Sequence, residues 1–511
     1  MNKFFFQPHF LYRYFQNIKC SRIFSRKFSS FDDKSTSPNS KGVRLPGVYD
    51  PKNVWQTLSY EYEEDLDSLI PREVDILIIG GGIIGWSIAY FIRQHAMMNV
   101  AVVERDPSHT RCATVLGIGG IRQQFSEPEN IQMSLFGAEF LRNVREHLSI
   151  LDCDPPDIQF HPHGFLTLAS QNGVGQLKHC FEVQRKLGAK VEFLSQDDIK
   201  SIWPWMEVSD IGGGIHGFEN EGWFDPWQLM NSMQRKASSL GVHKILGEVI
   251  GFEFEELNTI SGPKITEANM RRKPINALVR LINGNIQPVQ FSFVINAGGP
   301  WAGDVSRLLG MGEINSDGGL LPLPVEPRVQ HSFVVSPVAA SSQSGCVPGI
   351  DCPFIVDYNG LNIRRDRLGG DFITFLDTPP LSKHYQRPAK ADDHVVGESG
   401  LTVNYDLFES RIRSLLAKRV PSMATAKVRS GWASYLDYNY IDQNLIIGNH
   451  PVLLNVLFAN GSSGHGIEHS VAIGRAIYEL IFFGQYKSIE LRNFSMDRFY
   501  ENTPVFEKEV F

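Results

Sequence analysis

The chain has 511 residues, enough for two or more domains or one large interleaved unit, and its apolar content of 42% can supply a sizeable core. A formal net charge of −7 and an isoelectric point near 6.1 argue against nucleic acid as a partner. The six cysteines form no C-x-x-C pair and no zinc pattern with the histidines, so free thiols in a reducing compartment and no metal site are predicted.

The first thirty residues differ in composition from the rest of the chain. Six basic residues and no acidic residue precede Asp32, and phenylalanine, tyrosine and serine are abundant. This composition is typical of a mitochondrial transit peptide, and "RKFSS" resembles a matrix-protease cleavage sequence that is cut near Ser29 or Ser30. The sequence therefore predicts a presequence over residues 1–30 and a protein of the mitochondrial matrix, with peripheral association with the inner membrane as an option. A disordered basic tail is the alternative interpretation.

The stretch "EVDILIIGGGIIGWSIAYFIRQ" (residues 73–94) contains 17 consecutive residues without charge or proline, Ile76 to Ile92. That length falls short of the roughly 20 apolar residues that span a bilayer core, and three adjacent glycines would be costly inside a membrane helix. "VDILIIG" is instead a β-branched apolar run that predicts a buried strand, and "IIGWSIAYFIRQ" predicts the helix after it. No transmembrane segment is predicted here.

The glycines between this strand and this helix have the spacing of a dinucleotide-binding turn. Gly80, Gly82 and Gly85 match G-x-G-x-x-G. The first glycine makes the turn, the second lets the backbone approach a pyrophosphate, and the third packs helix against strand. A second strand, "NVAVVERD", ends at Glu104, where a carboxylate can accept both ribose hydroxyls of an adenosine. Together these features predict a dinucleotide site; a glycine-rich turn that binds nothing is the alternative.

The later elements alternate between two kinds of segment. Strands of nucleotide-binding type occur near the beginning, around residues 245–300 and at the C-terminus, with strand-rich segments between them. This order predicts an α/β fold in which a Rossmann-like cofactor domain is interleaved with an antiparallel β-sheet substrate domain. The predicted boundaries are an N-terminal extension at 31–72, cofactor-binding parts at 73–155, 226–320 and 429–490, substrate-domain parts at 156–225 and 321–428, and a C-terminal tail at 491–511.

Several stretches resemble a known family. "DILIIGGGIIGWSIA", "VINAGGPWAGDV" and "ANGSSGHGIEHSVAIGRAIYELI" resemble the FAD-dependent amine oxidoreductases, which include D-amino acid oxidase, glycine oxidase, sarcosine oxidase and dimethylglycine dehydrogenase. "TVLGIGGIRQQFSEPENIQMS" and "YLDYNYIDQNLIIGNHP" are similar to a mitochondrial branch of this family that is needed for assembly of respiratory complex I (NADH dehydrogenase). The resemblance implies FAD as the cofactor, a small amine as substrate, and complex I subunits or assembly intermediates as partners.

The resemblance also implies which residues bind FAD. The helix after the Gly-His-Gly turn would point its N-terminus at the pyrimidine edge of the flavin, where its dipole would stabilise negative charge on the reduced ring. A loop beside the flavin, adenine contact through the backbone at Val249, and two residues on the diphosphate side complete the site. The predicted cofactor-binding residues are Gly80, Gly82, Ile83, Gly85, Glu104, Arg105, Thr114, Gly119, Gly120, Ile121, Gln123, Val249, Ala297, Gly298, Trp301, Gly464, His465, Gly466 and Ile467.

The resemblance supplies no residue for a covalent bond to the flavin. Tyr435 occupies the position of the cysteine that carries the flavin in sarcosine oxidase. The histidine that carries it in dimethylglycine dehydrogenase is absent from the loop near Val115 and Leu116. The sequence therefore predicts FAD that is bound non-covalently.

Two departures from the family concern catalysis, for which Arg122, Thr374, His465 and Glu468 are the candidate residues. Arg122 falls on a carboxylate-binding arginine of sarcosine oxidase, but Glu468 occupies the position of the partner lysine and would repel an amino-acid carboxylate. A structural arginine is the alternative for Arg122. Thr374 falls where the oxidase has a lysine above the flavin that activates O2, so slow reaction with oxygen is expected.

Three functions are compatible with these observations. The first is a mitochondrial FAD-binding protein needed for assembly of complex I, whose catalysis is vestigial or coupled to folding. The second is an active amine dehydrogenase of the sarcosine or dimethylglycine type that passes electrons to a carrier. Glu468 and Thr374 favour the first function, while the full flavin site keeps the second open. A nicotinamide enzyme is the third, and the Gly-His-Gly turn argues against it.

Overall fold

The structure is a computed structural model, and it describes residues 70–256, 272–312, 320–338, 346–366, 369–377 and 401–508. The predicted presequence, nearly all of the predicted N-terminal extension and the last three residues of the predicted C-terminal tail lie outside the described residues. All described residues belong to one compact unit, Asp67–Phe511.

The regular elements begin with the strand, helix and second strand expected of a nucleotide-binding fold. The strands in the described part of the chain are β1 (Glu73–Ile79), β2 (Val100–Glu104), β3 (Gly120–Ile121), β4 (Phe165–Ser170), β5 (Val191–Leu194), β6 (Ile211–Gly217), β7 (Gly222–Trp223), β8 (His243–Glu256), β9 (Arg272–Leu281), β10 (Ile286–Asn296), β11 (Val325–Ser336), β12 (Phe354–Val356), β13 (Leu361–Arg365), β14 (Phe372–Leu376), β15 (Lys427–Asn439), β16 (Ile446–Asn449) and β17 (Val456–Asn460). The α-helices there are α1 (Ile83–His95), α2 (Pro128–Arg142), α3 (Val144–Leu148), α4 (Val174–Lys186), α5 (Gln196–Ile202), α6 (Pro226–Ser239), α7 (Ala302–Leu308), α8 (Tyr405–Leu407), α9 (Arg413–Arg419), α10 (Gly466–Phe483) and α11 (Asp497–Tyr500). A π-helical turn, Phe408–Ile412, joins α8 to α9.

The first sheet has seven strands and contains the nucleotide-binding elements. Strands β17, β10, β1, β2 and β8 are parallel neighbours in that order, β16 is antiparallel to β17, and β9 is antiparallel to β8 and β10. Side chains of α1, α2, α6 and α10 cover one face, and side chains of α7 and β9 help to cover the other. Burial on both faces explains why β1 is an almost uninterrupted apolar run.

The second sheet has eight strands in the order β15, β11, β14, β13, β12, β4, β6 and β5. Neighbours are antiparallel except for the parallel pair β4 and β12. Its strands come from segments that alternate along the chain with those of the first sheet, so the predicted interleaved fold is confirmed. The predicted boundary at residue 428 is wrong, because β15 pairs with β11 as far as Asn439 and carries this sheet past it.

The predicted C-terminal tail is an integral part of the unit as far as residue 508. The guanidinium of Arg498 is buried and donates to the carboxylate of Asp442. The carboxylate of Glu507 accepts from the backbone N–H of Ser126 at 2.7 Å and from the side-chain amide of Asn130 at 2.6 Å. A carboxylate at the N-terminus of α2 also stabilises this helix, because it interacts favourably with the positive end of the helix dipole. Residues 491–508 are therefore packed into the unit and do not form a free terminal segment.

None of the helices in the described residues combines the length and the apolar character needed to cross a bilayer.

Candidate cofactor and substrate site

A cavity of about 1280 Å³ lies between the carboxyl ends of β1, β2 and β10 and the inner face of the second sheet. Ligand pockets usually have volumes of roughly 300–1,000 Å³, so this cavity has room for a dinucleotide and a second molecule. Sixteen of the nineteen predicted cofactor-binding residues line it; Gly85, Ile121 and Gln123 do not. Carboxyl ends of parallel strands are where ligands bind in open α/β sheets.

The glycine turn forms one wall of the cavity. Gly80 has a φ of +111°, and a side chain there would overlap the carbonyl oxygen of Ala297. Gly85 does not line the cavity, because it packs against the carbonyl of Gly80, which is the packing role predicted for it. At Gly82 a Cβ would meet only the Thr114 Oγ1 at 3.6 Å, so the space in front of this residue is open. This is the cradle that a pyrophosphate needs.

The N-terminus of α1 faces the same space. Gly82 supplies no side-chain cap, and the first turn carries no acidic residue. The Thr114 hydroxyl accepts a hydrogen bond from the Ile83 N–H at 3.2 Å. Thr114 does not cap the other free N–H groups of the first turn. Unsatisfied N–H groups and the positive end of the helix dipole form an anion site. The fit to a diphosphate is therefore good.

The carboxylate of Glu104 is held in place by backbone groups. It accepts from the Gly81 N–H at 2.8 Å and from the Asp106 N–H at 2.7 Å. Each carboxylate oxygen has a second lone pair, so hydroxyl groups of a ribose can still donate to it. Nearby, the guanidinium of Arg105 lies 4.4 Å from the centre of the Trp301 ring, and both residues line the cavity.

His109 is a cavity residue that was not predicted from the sequence. His109 is 4% exposed, and its Nδ1 is buried without a hydrogen-bond partner among the described residues. Burial lowers the pKa of His109 and favours the neutral ring, which can donate or accept. An orphaned polar atom near Glu104 suits the adenosine part of a dinucleotide. In the sequence, His109 is marked only by its position five residues after Glu104, and that spacing alone does not indicate a binding residue.

Two predicted residues of the flavin loop point away from the cavity. Ile121 is in the core beneath the first sheet, and Gln123 donates to the Asn220 carbonyl and, through its N–H, to Glu221. Ile121 lies in β3, whose pairing with β7 fixes the direction of its side chain, and Gln123 is held by its bonds to Asn220 and Glu221. Their neighbours Arg122 and Gln124 line the cavity instead.

The predicted position of Thr374 is also corrected. Thr374 is fully buried in β14 and pairs directly with Phe333 and Ile363, which belong to the core on the far side of the second sheet. Its neighbour Phe375 lines the cavity. Thr374 therefore does not lie over a flavin, and the argument from this residue for slow reaction with oxygen fails.

Arg122 lies at the end of the cavity beside the second sheet. Its guanidinium carbon is 5.3 Å from the centre of the Phe125 ring and 6.0 Å from that of Phe165. Among the described residues, no side chain forms an ion pair with it or accepts a hydrogen bond from it. A planar cation between aromatic rings, facing a cavity, can bind a carboxylate through two parallel hydrogen bonds.

Glu468 does not point its charge at this cation. Its carboxylate accepts from the backbone N–H of Arg122 at 2.9 Å, and the other oxygen contacts the His465 Nδ1 at 2.7 Å. Burial opposes ionisation of Glu468, yet the His465 contact and nearby positive charge outweigh it and lower the pKa of the carboxyl. Both carboxylate oxygens of Glu468 are therefore engaged by these two contacts, and neither forms an ion pair with the Arg122 guanidinium.

Two further carboxyl groups adjoin Arg122. Burial raises the pKa of Glu221 to about 8, although Gln123 and Gln124 donate hydrogen bonds to it. Burial also raises the pKa of Asp377, which lines the cavity. The pKa of Glu221 lies above neutral pH, so this carboxyl is not suited to cancel the charge of Arg122 at pH 7.

Tyr435 and Cys112 both line the cavity. The Tyr435 ring is 5.4 Å from that of Trp301. Burial raises the pKa of the Cys112 thiol, whose sulfur contacts Met230 at 4.0 Å, so the thiolate that acts as nucleophile is disfavoured. Within the described ranges, no cluster of three His, Cys, Asp or Glu residues could hold a metal ion.

Comparison with known proteins adds independent findings. A family model described as FAD dependent oxidoreductase matches residues 75–480. A protein of Xenopus laevis named FAD-dependent oxidoreductase domain-containing protein 1 is 42% identical over 451 residues, which is 86% of each chain. Its homolog of Drosophila melanogaster is 35% identical over 463 residues, 88% of this chain and 84% of that protein. Monomeric sarcosine oxidase of Bacillus sp. (strain B-0618) is 24% identical over 83% of this chain and 96% of its own.

Solved structures with low sequence identity share the fold. L-Proline dehydrogenase from P. horikoshii is superposed with a TM-score of 0.66 at 21% identity, covering 85% of this chain and 100% of its own. Glycine oxidase from Geobacillus kaustophilus is superposed with a TM-score of 0.62 at 17% identity, covering 83% and 98%. The two-sheet architecture is therefore common to all three proteins.

Proposed function

The chain belongs to the family of FAD-dependent oxidoreductases, and from this premise we propose that it oxidises a small amine that carries a carboxylate, such as a secondary amino acid. The observation that supports this proposal is the guanidinium of Arg122, which faces the cavity without an ion pair among the described residues. The proposed FAD is bound non-covalently, since Tyr435 cannot form a thioether and the raised pKa of Cys112 favours its thiol form. When bound, FAD accepts a hydride from the carbon next to the amine.

The chain's own residues bind and orient the two molecules. Glu104, His109 and the open space at Gly82 would hold the adenosine and the diphosphate. Helix α10 begins at Gly466 in the cavity wall. The positive end of its dipole would lie at the other end of the cofactor. Arg122 would hold the substrate carboxylate, and the aromatic rings beside it would exclude water, which strengthens the interaction.

The proposal is tested by anaerobic reduction of the purified protein loaded with FAD. Sarcosine, N,N-dimethylglycine and L-proline should bleach the flavin absorbance, whereas dimethylamine and pyrrolidine, which lack the carboxylate, should do so far more slowly. The physical reason is that the charge-assisted pair with Arg122 fixes the reacting carbon in place. Failure of every amine in this panel to bleach the flavin would contradict the proposal.

A second proposal concerns the place of action. We propose that the protein works in mitochondria and is needed for assembly of respiratory complex I, through contact with complex I subunits or assembly intermediates. Six basic residues and no acidic residue precede Asp32, and this composition supports a mitochondrial location. The stretches "TVLGIGGIRQQFSEPENIQMS" and "YLDYNYIDQNLIIGNHP" support the assembly role through their resemblance to the mitochondrial branch of the family.

Deletion of residues 1–30 should leave the protein in the cytosol, because the import signal is an amphipathic basic segment. Cell fractionation measures this, and residues 1–30 fused to a reporter serve as the positive control. Normal import of the shortened chain would show that the signal lies elsewhere.

The assembly role is tested in cells that lack the protein, with complex I measured on native gels. The full chain should restore complex I. Rescue by an Arg122→Met variant would show that assembly does not need amine oxidation. If the full chain does not restore complex I, the assembly role is excluded.

A further inference from the structure

His465 and Glu468 form a hydrogen-bonded pair in the cavity wall. His465 is the last residue before α10, and its side chain is 33% exposed toward the cavity. Its Nδ1 lies 2.7 Å from one oxygen of Glu468, which is itself 7% exposed. An ionised carboxylate only accepts hydrogen bonds, so Nδ1 must be the donor and the neutral ring keeps a free lone pair on Nε2.

The same carboxylate ties this histidine to Arg122. The second oxygen of Glu468 accepts from the backbone N–H of Arg122 at 2.9 Å. The His465 ring centre is 5.0 Å from that of Phe125, and the Arg122 guanidinium carbon is 5.3 Å from the same ring. In an amino acid the amine is one carbon away from the carboxylate. A carboxylate held by Arg122 therefore places an amine in the neighbourhood of His465.

Oxidation of an amine requires removal of a proton first. Alkylamines have pKa values near ~10, so almost all of the substrate is an ammonium ion at neutral pH. A hydride can leave the adjacent carbon only when the nitrogen lone pair is free to stabilise the resulting cation. A group in the site that accepts the ammonium proton therefore increases the fraction of bound substrate in the reactive free-amine form.

We propose that His465, oriented by Glu468, accepts the ammonium proton of the substrate at Nε2; this rests on the proposed amine oxidation. The N–H bond breaks, its electron pair stays on nitrogen, and the proton becomes the second proton of the imidazole ring. The imidazolium is balanced by the Glu468 carboxylate. FAD, held by the residues described above, would then supply the acceptor for the hydride of the adjacent C–H bond, and the iminium product would be hydrolysed by water.

The other groups that face this histidine are compatible with the role. Burial lowers the pKa of His469 to about 4, so this neighbour on α10 stays neutral. Arg122 lies near it in the loop after β3, and Asp377 at the end of β14, while Glu221, in the turn before β7, lies near Arg122 and Glu468. Among the described cavity residues, only His465 combines a ring nitrogen open to the cavity with a carboxylate partner on the other nitrogen.

The test uses the FAD-loaded full chain with His465→Ala, and sarcosine as the probe for anaerobic reduction. At pH 7 the rate of flavin reduction should fall about a hundredfold. The deficit should shrink about tenfold for each pH unit toward pH 10, because free amine then replaces the missing base. Added imidazole should restore part of the rate. Glu468→Gln, which lacks the charge that balances the imidazolium, should give a smaller loss, and the exposed His179→Ala serves as the control.

A binding measurement separates proton transfer from a structural role. Methoxyacetate has the carboxylate but no ammonium proton, so His465→Ala should bind it within about twofold of the unmodified protein, measured by perturbation of the flavin spectrum. Loss of methoxyacetate binding, or a deficit that is the same at pH 10 as at pH 7, would overturn the inference and leave His465 as an anion contact or a packing residue. Failure of the unmodified protein to be reduced by sarcosine, N,N-dimethylglycine or L-proline would instead defeat the proposed function itself.

Discussion

Replacement of Gly82 by valine should abolish FAD binding. The space in front of Gly82 is open, with only Thr114 Oγ1 within 4 Å of an added Cβ, so the branched side chain fills the diphosphate cradle without disturbing the protein around it. A ligand at a thousandfold excess over its dissociation constant stabilises a fold by ~4 kcal/mol, and the variant forfeits that stabilisation. Its melting temperature should equal that of the unmodified protein stripped of FAD.

Two variants separate the cradle from the fold. Gly175 in α4 has nothing within 4 Å of an added Cβ, so Gly175→Val should keep the flavin. Gly80→Ala should impair folding itself, because the added carbon overlaps the Ala297 carbonyl. Acid precipitation of the unmodified protein should release its flavin into the supernatant, as non-covalent binding requires. A Gly82→Val protein that stays yellow with an unchanged melting temperature would place the cofactor elsewhere.

Replacement of Arg122 by methionine should weaken methoxyacetate binding by about 3 kcal/mol, or roughly 150-fold. Methionine keeps an apolar contact with Phe125 and Phe165 but cannot donate to a carboxylate. The backbone N–H that holds Glu468 is unaffected by the change, so the loop keeps its place. Titration of the FAD-loaded variant, followed by the flavin spectrum, measures the effect.

Arg122→Lys is the matched comparison, because it keeps the charge and loses the planar fork. Its affinity for methoxyacetate should fall between those of the unmodified protein and of Arg122→Met. Arg185→Met, on the exposed side of α4, should have no effect. If Arg122→Met binds methoxyacetate as tightly as the unmodified protein does, Arg122 is a structural residue and the proposed substrate class is wrong.

The parts of the site that could be predicted from the sequence are those encoded within a few residues. Gly80, Gly82 and Gly85 belong to one strand–turn–helix unit, and Glu104 ends the strand that follows, so spacing alone relates them. The order of segments was enough to predict two interleaved sheets. In both cases the structure follows from residues that are close together in the sequence or from a pattern that repeats along it.

The residues that were misplaced depend on distant pairing. The direction of Ile121 is set by the pairing of β3 with β7, and that of Gln123 by its bonds to Asn220 and Glu221, in both cases about a hundred positions along the chain. Thr374 shows the same sensitivity, because a shift of one residue along a strand exchanges its two faces. One hydrogen-bond partner of Glu468, the N–H of Arg122, is 346 residues away in the sequence, so this contact could not be predicted from local spacing.

The contact of Glu507 with the start of α2 has a consequence for how the protein is made. The cavity wall includes Gly80 near the beginning of the described chain and Glu507 and Lys508 near its end. A ribosome therefore releases Glu507 and Lys508 only after β17 and α10 have emerged. This wall of the cavity is consequently complete only once residue 508 has been synthesised, and removal of residues 507 and 508 would open it.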